Sequence, residues 1–136
     1  MKRINLPGIE IQVLKSSAET DGHIAIFKEK TGPNHGPPLH THDKQTEVFH
    51  VLKGRYRFHL DGEIFELGPG DIAVVKPGQE HAFKNISDSE GEFIFELCPA
   101  LDADIFFDKL SQLDDPIEMA RIFEDYGGRL IGPSNL

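Results

Sequence analysis

The sequence predicts an all-β fold, an antiparallel sandwich or barrel of the jelly-roll type, finished by short C-terminal α-helices. Three observations carry this prediction. From about residue 8 to residue 99, Gly and Pro punctuate short apolar or alternating runs. These runs number about eight, the usual strand count of a jelly roll. After Pro99 the apolar period changes from two to that of a helix.

The runs Ile9–Lys15, His23–Lys30, Glu47–Lys53, Arg55–Leu60, Ile64–Leu67, Asp71–Lys76, His81–Ile86 and Glu92–Cys98 read as strands. Asp61-Gly62, Gly68-Pro69-Gly70 and Ser89-Glu90-Gly91 supply turn chemistry between them. Beyond Pro99, Asp104–Leu113 sets Phe106, Leu110 and Leu113 on one helical stripe. Asp115-Pro116-Ile117-Glu118 then reads as an N-cap, a proline in the first turn and a capping acid. Met119, Ile122, Phe123 and Tyr126 follow at helical spacing, and Gly127-Gly128 is the stop. Residues 1–99 are therefore expected to form the barrel and 100–136 a helical extension packed on it, since about 37 residues cannot enclose a core alone.

Composition bounds the function. Leu, Ile, Val and Phe make up 40 of 136 residues, enough for a genuine core in one domain. The chain carries 14 Lys+Arg against 23 Asp+Glu, a net charge of −9, and no basic run exceeds two residues. Such a surface repels phosphate backbones and anionic lipid, so neither nucleic acid nor a membrane is an expected partner. Cys98 is the only cysteine, which excludes an internal disulfide and a cysteine-based zinc site. Met1–Ile11 holds no apolar run of signal-peptide length, and a cytoplasmic protein is expected.

Four of the seven histidines fall between His35 and His50. His40 and His42 are two residues apart, so an extended segment projects both imidazoles from one face, close enough to share an ion. Glu47 follows five residues after His42. An uninterrupted strand would turn it to the opposite face, so the polar insert Asp43-Lys44-Gln45-Thr46 has to bend or bulge to bring the carboxylate back. A second stretch, Gly70 to Asn85, opens a strand with His81. Three neutral imidazoles and one carboxylate suit one divalent transition metal ion (Fe, Mn, Ni, Co, Cu or Zn) and suit Ca or Mg poorly. Four protein ligands leave open positions on an octahedral ion for a small-molecule ligand.

At these residues the chain resembles the cupin superfamily. Its first motif, G-x5-H-x-H-x3,4-E-x6-G, is met by His40, His42, Glu47 and Gly54, with Asn34 standing where the leading glycine belongs and Gly32 and Gly36 flanking it. Its second, G-x5-P-x-G-x2-H-x3-N, is met by Gly70, Gly78, His81 and Asn85, with Lys76 in place of the proline and Pro77 one position later. The resemblance implies a double-stranded β-helix barrel with the metal inside near one mouth, usually in a homodimer. It leaves the reaction open, because the superfamily hosts dioxygenases, isomerases, cyclases and plain binding proteins alike.

Phe49 and Val51 share Glu47's face and Phe83 shares His81's, so they are expected to line the pocket, with the stripe Phe93, Phe95 and Leu97 completing it. The same residues are equally what an ordinary barrel core requires. His35, in a Gly/Pro-rich loop, is the loop candidate for touching substrate, whereas His23, His50 and His59 read as bystanders. Gln45 reads as a solvated loop residue, and Phe106, Phe107 and Phe123 offer a lid or a dimer contact. Glu47 is the expected catalytic group, as the one carboxylate able to move a proton there. The expected activity is metal-dependent chemistry on a small organic substrate, of the dioxygenase or the isomerase/cyclase type. The alternative is binding or sensing without turnover.

Overall fold

Alternation along the chain becomes the two faces of a pleated sheet. In Ala25–Thr31, for example, Ala25, Phe27, Glu29 and Thr31 are buried while the residues between them are half-buried. The computed structural model describes residues 2–136. Its strands are β1 (Arg3–Leu6), β2 (Ile9–Lys15), β3 (Ala25–Thr31), β4 (Leu39–His42), β5 (Thr46–Lys53), β6 (Tyr56–Leu60), β7 (Glu63–Leu67), β8 (Ile72–Val75), β9 (His81–Asn85), β10 (Gly91–Cys98) and β11 (Gly128–Gly132). The helices are α1 (Ala103–Ser111) and α2 (Pro116–Asp125). A six-stranded sheet runs in the order β1-β2-β3-β10-β5-β8 and a five-stranded sheet in the order β11-β4-β9-β6-β7. The strand pairs are antiparallel, and strands distant in sequence lie side by side, as the jelly-roll expectation requires.

Phenylalanine fills the space between the sheets. The chain has ten Phe and no Trp. Phe27 stacks on Phe95 at 4.8 Å between centroids, and Phe49 meets Phe58 edge-on at 5.1 Å and Phe93 at 5.4 Å. Contacts of this kind add about 0.5–1.5 kcal/mol each beyond the area they bury.

Three strands escape the periodicity reading. β1 and β4 are four residues long and β11 five, too short for alternation to stand out, and β4 carries two histidines on its inward face. β4 and β11 pair with neighbours distant in sequence, whereas β1 forms a hairpin with β2 across Pro7-Gly8. As a result, residues 100–136 do more than add helices, because β11 pairs with β4 and completes the five-stranded sheet. The α2 start is as expected: Asp115 accepts a hydrogen bond from the Ile117 amide at 3.0 Å with Pro116 in the first turn. Gly127, at φ +84°, ends that helix in a conformation that favours glycine. Phe106, Leu110 and Phe123 form the buried seam between the two helices. Among the described residues no helix is long and apolar enough to cross a membrane.

Gly36 lies where the loop before β4 presses on β9, and a Cβ there would collide with the Phe83 carbonyl. Backbone cannot swing aside as a flexible side chain can, so Gly36→Ala should destabilise by more than about 2 kcal/mol, read as a lowered urea midpoint. An unchanged midpoint would show that this loop yields freely.

Candidate metal centre and its cavity

One sheet supplies the imidazoles. His40 and His42 project together from β4, and His40 lies directly opposite His81 of β9. Glu47 arrives on β5 from the other sheet. The parity expected along an uninterrupted strand therefore does not apply. Asp43–Gln45 carries the chain from the five-stranded to the six-stranded sheet, and the carboxylate faces the histidines from across the barrel.

That crossing is pinned at several points. Gln45, read from sequence as solvated, is 4% exposed and donates to the Pro99 and Ala100 carbonyls at 3.0 and 2.9 Å. Its correct reading is a buried clamp, because the insert turns inward where those carbonyls need a donor. The Asp43 amide donates to Gly127 O at 2.8 Å, the Asp43 carboxylate pairs with Arg129 at 3.2 Å, and the Gly78 amide donates to His42 O at 3.0 Å.

The four side chains are buried and each offers one ligand atom, all within 4.8 Å of one another. Atoms bound at about 2.1 Å from one ion lie about 3 to 4.2 Å apart, so a small contraction brings the cluster to coordination distance. The hydrogen bonds behind the rings orient them. His40 Nδ1 donates to Pro38 O at 2.7 Å and His81 Nδ1 donates to Gln79 O at 3.1 Å, since a carbonyl can only accept. Each ring therefore turns its Nε2 toward the centre, the arrangement that backs metal-bound histidine. His81 Nε2 then faces Glu47 Oε1 at 3.0 Å, and His42 Nε2 faces the same oxygen at 3.7 Å. The 3.0 Å contact is a hydrogen bond between the His81 ring and the Glu47 carboxylate, and a metal ion at the centre would take its place. Burial, with the neighbouring histidines, also holds His40 well below the ordinary imidazole range, although Glu47 and the bond to Pro38 oppose this. Burial and His81 bring His42 down to about 3, with Asp43 pulling the other way. Neutral imidazole is the ligating form.

The cluster opens on a cavity of about 260 Å³. Phe49, Phe83 and Phe95 line it from the barrel and Phe106, Phe107 and Phe123 from the helices. The Phe123 ring lies 5.4 Å from that of His40 and the Phe106 ring 6.1 Å from that of His42, so the helices roof the cluster. Val51 is 2% exposed and sits in the core away from the lining. His35 also lies outside the lining: it is exposed and its ring packs against Gly8, where a Cβ would collide with it. His50 points away from the cluster and pairs with Glu96 at 2.6 Å. His23 is exposed and His59 half-buried. Asn85 binds its turn, donating to Thr31 O and Ser89 O at 2.9 Å.

A second carboxyl lines the cavity. Glu29 is 4% exposed and accepts a hydrogen bond from Thr31 Oγ1 at 2.7 Å. It looks solvated in sequence because Lys28 and Lys30 flank it, yet it keeps the parity of Ala25 and Phe27, a signal that points inward. Burial pushes its carboxyl up to about 8, with the Thr31 bond opposing the rise and Glu47 adding to it.

A family described as "Cupin domain" matches residues 27–97. The "Oxalate-binding protein" of Thermotoga maritima is 28% identical over 87 residues, covering 63% of this chain and 72% of that protein. "Polyketide synthase CurC" of Streptomyces cyaneus is 33% identical over 60 residues, covering 44% of this chain, which in turn spans only 39% of that protein's length. The crystal structure of a predicted oxalate decarboxylase from Thermotoga maritima superposes with a TM-score of 0.66 at 24% identity, covering 72% of this chain and 90% of that one.

The raised Glu29 carboxyl sets a pH dependence of stability. The folded protein keeps this proton up to about 8, whereas an unfolded chain releases it above about 4.5. The stabilising contribution is therefore complete below about 4.5 and is lost as pH rises through about 8. Relative to Glu29→Gln, which cannot ionise, the wild-type melting temperature should fall as pH is raised from about 5 to about 9. A gap between the two melting curves that stays constant with pH contradicts a buried, protonated Glu29.

Proposed function

The chain belongs to the cupin domain family, and from that premise we propose that it is a metal-dependent cupin in which His40, His42, Glu47 and His81 hold one divalent transition metal ion, with a small organic substrate in the adjoining cavity. The observation that carries this reading is the convergence of four buried ligand atoms within 4.8 Å at the edge of an apolar cavity. When bound, a redox-active ion supplies oxygen chemistry on a ring or C–C bond, and a redox-inert one supplies Lewis-acid polarisation for isomerisation or cyclisation.

The chain's own groups have separable tasks. Pro38 O and Gln79 O fix the tautomers of His40 and His81. Glu47 is the one carboxylate within the cluster and so the group able to hold or pass a proton there. Phe49, Phe83, Phe95 and the helical Phe106, Phe107 and Phe123 exclude water and favour an apolar substrate body. The Thermotoga relative is named for oxalate binding, and that name supports a second reading as a binding protein without turnover. Oxalate, a compact dianion, would leave six aromatic walls unused, which favours a larger substrate here.

A homodimer, as the cupin resemblance implies, is part of the same proposal. Leu52, Ile72 and Val74 are 46%, 57% and 50% exposed on β5 and the edge strand β8, an apolar strip that a second copy would cover. Light scattering should report a dimer for the wild type and a monomer for Ile72→Lys/Val74→Lys; a monomeric wild type rejects the dimer.

Elemental analysis of natively purified protein should find about one transition metal ion per chain, and His40→Ala/His42→Ala should lose it, since each protein ligand removed costs much of the affinity. Metal-free native protein, or full occupancy in the double variant, rejects the assignment. Substrate-dependent oxygen consumption separates the oxygenase form from the isomerase form.

A further inference from the structure

We propose that Glu29 recognises the substrate: its carboxyl, at the other end of the cavity from the histidine cluster, donates a hydrogen bond to an acceptor oxygen, so the substrate is a small apolar-bodied molecule with an oxygen function at each end. This rests on the cluster being the metal centre, which takes the first oxygen function.

The register separates the two groups. Glu29 lies opposite Phe93, which lies opposite Val51, whereas Glu47 lies opposite Leu97, which lies opposite Ala25. Glu29 is thus displaced from the Glu47 level by four residues along the strands, roughly 13 Å. Both side chains line the same cavity, and the wall between them is phenylalanine. Glu29's cross-strand neighbours on either side are Ile11 and Phe93, both buried and apolar.

The hydrogen bonds fix which way the carboxyl proton points. Tyr56 is fully buried and Thr31 Oγ1, at 2.9 Å, is its hydroxyl's only partner among the described residues, so Tyr56 donates to Thr31. Thr31 in turn donates to Glu29 Oε2 at 2.7 Å. Oε2 is therefore the accepting, carbonyl-like oxygen and the acid proton belongs on Oε1, which has no protein partner among the described residues. Among the described residues no Lys or Arg lines the cavity to stabilise an ionised carboxylate, and burial favours the neutral acid. A donor that faces the cavity without a protein acceptor is a site for a ligand acceptor.

The test uses the full-length, zinc-loaded protein and a matched pair of probes, 4-acetylbenzoate and 4-isopropenylbenzoate, which differ in shape hardly at all and in one acceptor oxygen. Titration calorimetry should show the acetyl compound binding about tenfold more tightly to wild type. Glu29→Leu should abolish that preference, and Glu29→Gln should keep it, since the amide N–H still donates. A purely structural Glu29 would alter stability and leave the ratio unchanged. Equal affinities in wild type, a preference that survives in Glu29→Leu, tighter binding of 4-(aminomethyl)benzoate than of the acetyl compound, or binding of neither probe each overturns the proposal. Zinc uptake by equilibrium dialysis is read separately. A wild type that takes up no zinc rejects the metal centre, whereas normal uptake without acetyl preference rejects the role of Glu29 alone.

Discussion

The meeting of His40, His42 and His81 from one sheet with Glu47 from the other is the constraint on which the rest of the structure depends. Four polar side chains converge inside a phenylalanine-packed interior, where unpaired polar groups cost several kcal/mol. The arrangement holds because each group is constrained from behind. Backbone carbonyls take the Nδ1 protons of His40 and His81, and the crossing between sheets is tied down by Gln45, Asp43 and Gly78. Inside the cluster the polar contacts are the His81–Glu47 hydrogen bond at 3.0 Å and the approach of His42 Nε2 to the same carboxylate oxygen at 3.7 Å. Site and fold are therefore one problem: the same sheet-to-sheet crossing that closes the barrel sets the ligand geometry.

The parts of this design that are local in the chain were legible in the sequence. The H-x-H spacing put His40 and His42 on one face because β4 is extended, and the second motif found His81 at the start of β9. Glu47 belonged to the ligand set by motif, but its parity argument assumed one strand where there are two in different sheets. Gln45 looked like loop polarity because its acceptors, Pro99 O and Ala100 O, are over fifty residues away. Glu29 shows the reverse failure. Its alternation with Ala25 and Phe27 along the expected strand points it inward, but a carboxylate between Lys28 and Lys30 does not by itself stand out as a site residue. β11 could not be read locally, since a five-residue segment pairing with β4 is specified by that partner.

The C-terminal residues take on a structural role that a packed extension would not. α1 and α2 set Phe106 and Phe123 against His42 and His40, while the Gly127 carbonyl at the helix end accepts from the Asp43 amide. β11 then pairs with β4, and Arg129 reaches the Asp43 carboxylate. The roof and the strand carrying two ligands are thus joined through the same short insert. A displacement of α2 that opened the roof would pull on the segment holding His42, so access to the cavity and ligand geometry are mechanically linked.

Electrostatics gives the apolar cavity between the cluster and Glu29 its chemical meaning. Where a bound molecule displaces water from the cavity, each polar contact made at either end is stronger than in bulk, and each one left unmade costs about 1–3 kcal/mol. A molecule satisfying only the metal end would leave the Glu29 proton without an acceptor, and one satisfying only Glu29 would leave the ligand cluster without its second partner. Selectivity then comes from matching the separation of two oxygen functions to the distance between two fixed groups. The aromatic walls, indifferent to orientation by themselves, supply affinity without deciding it. The strands determine that distance: it is the offset between Glu47 on β5 and Glu29 on β3, transmitted through β10, whose register pairs with both.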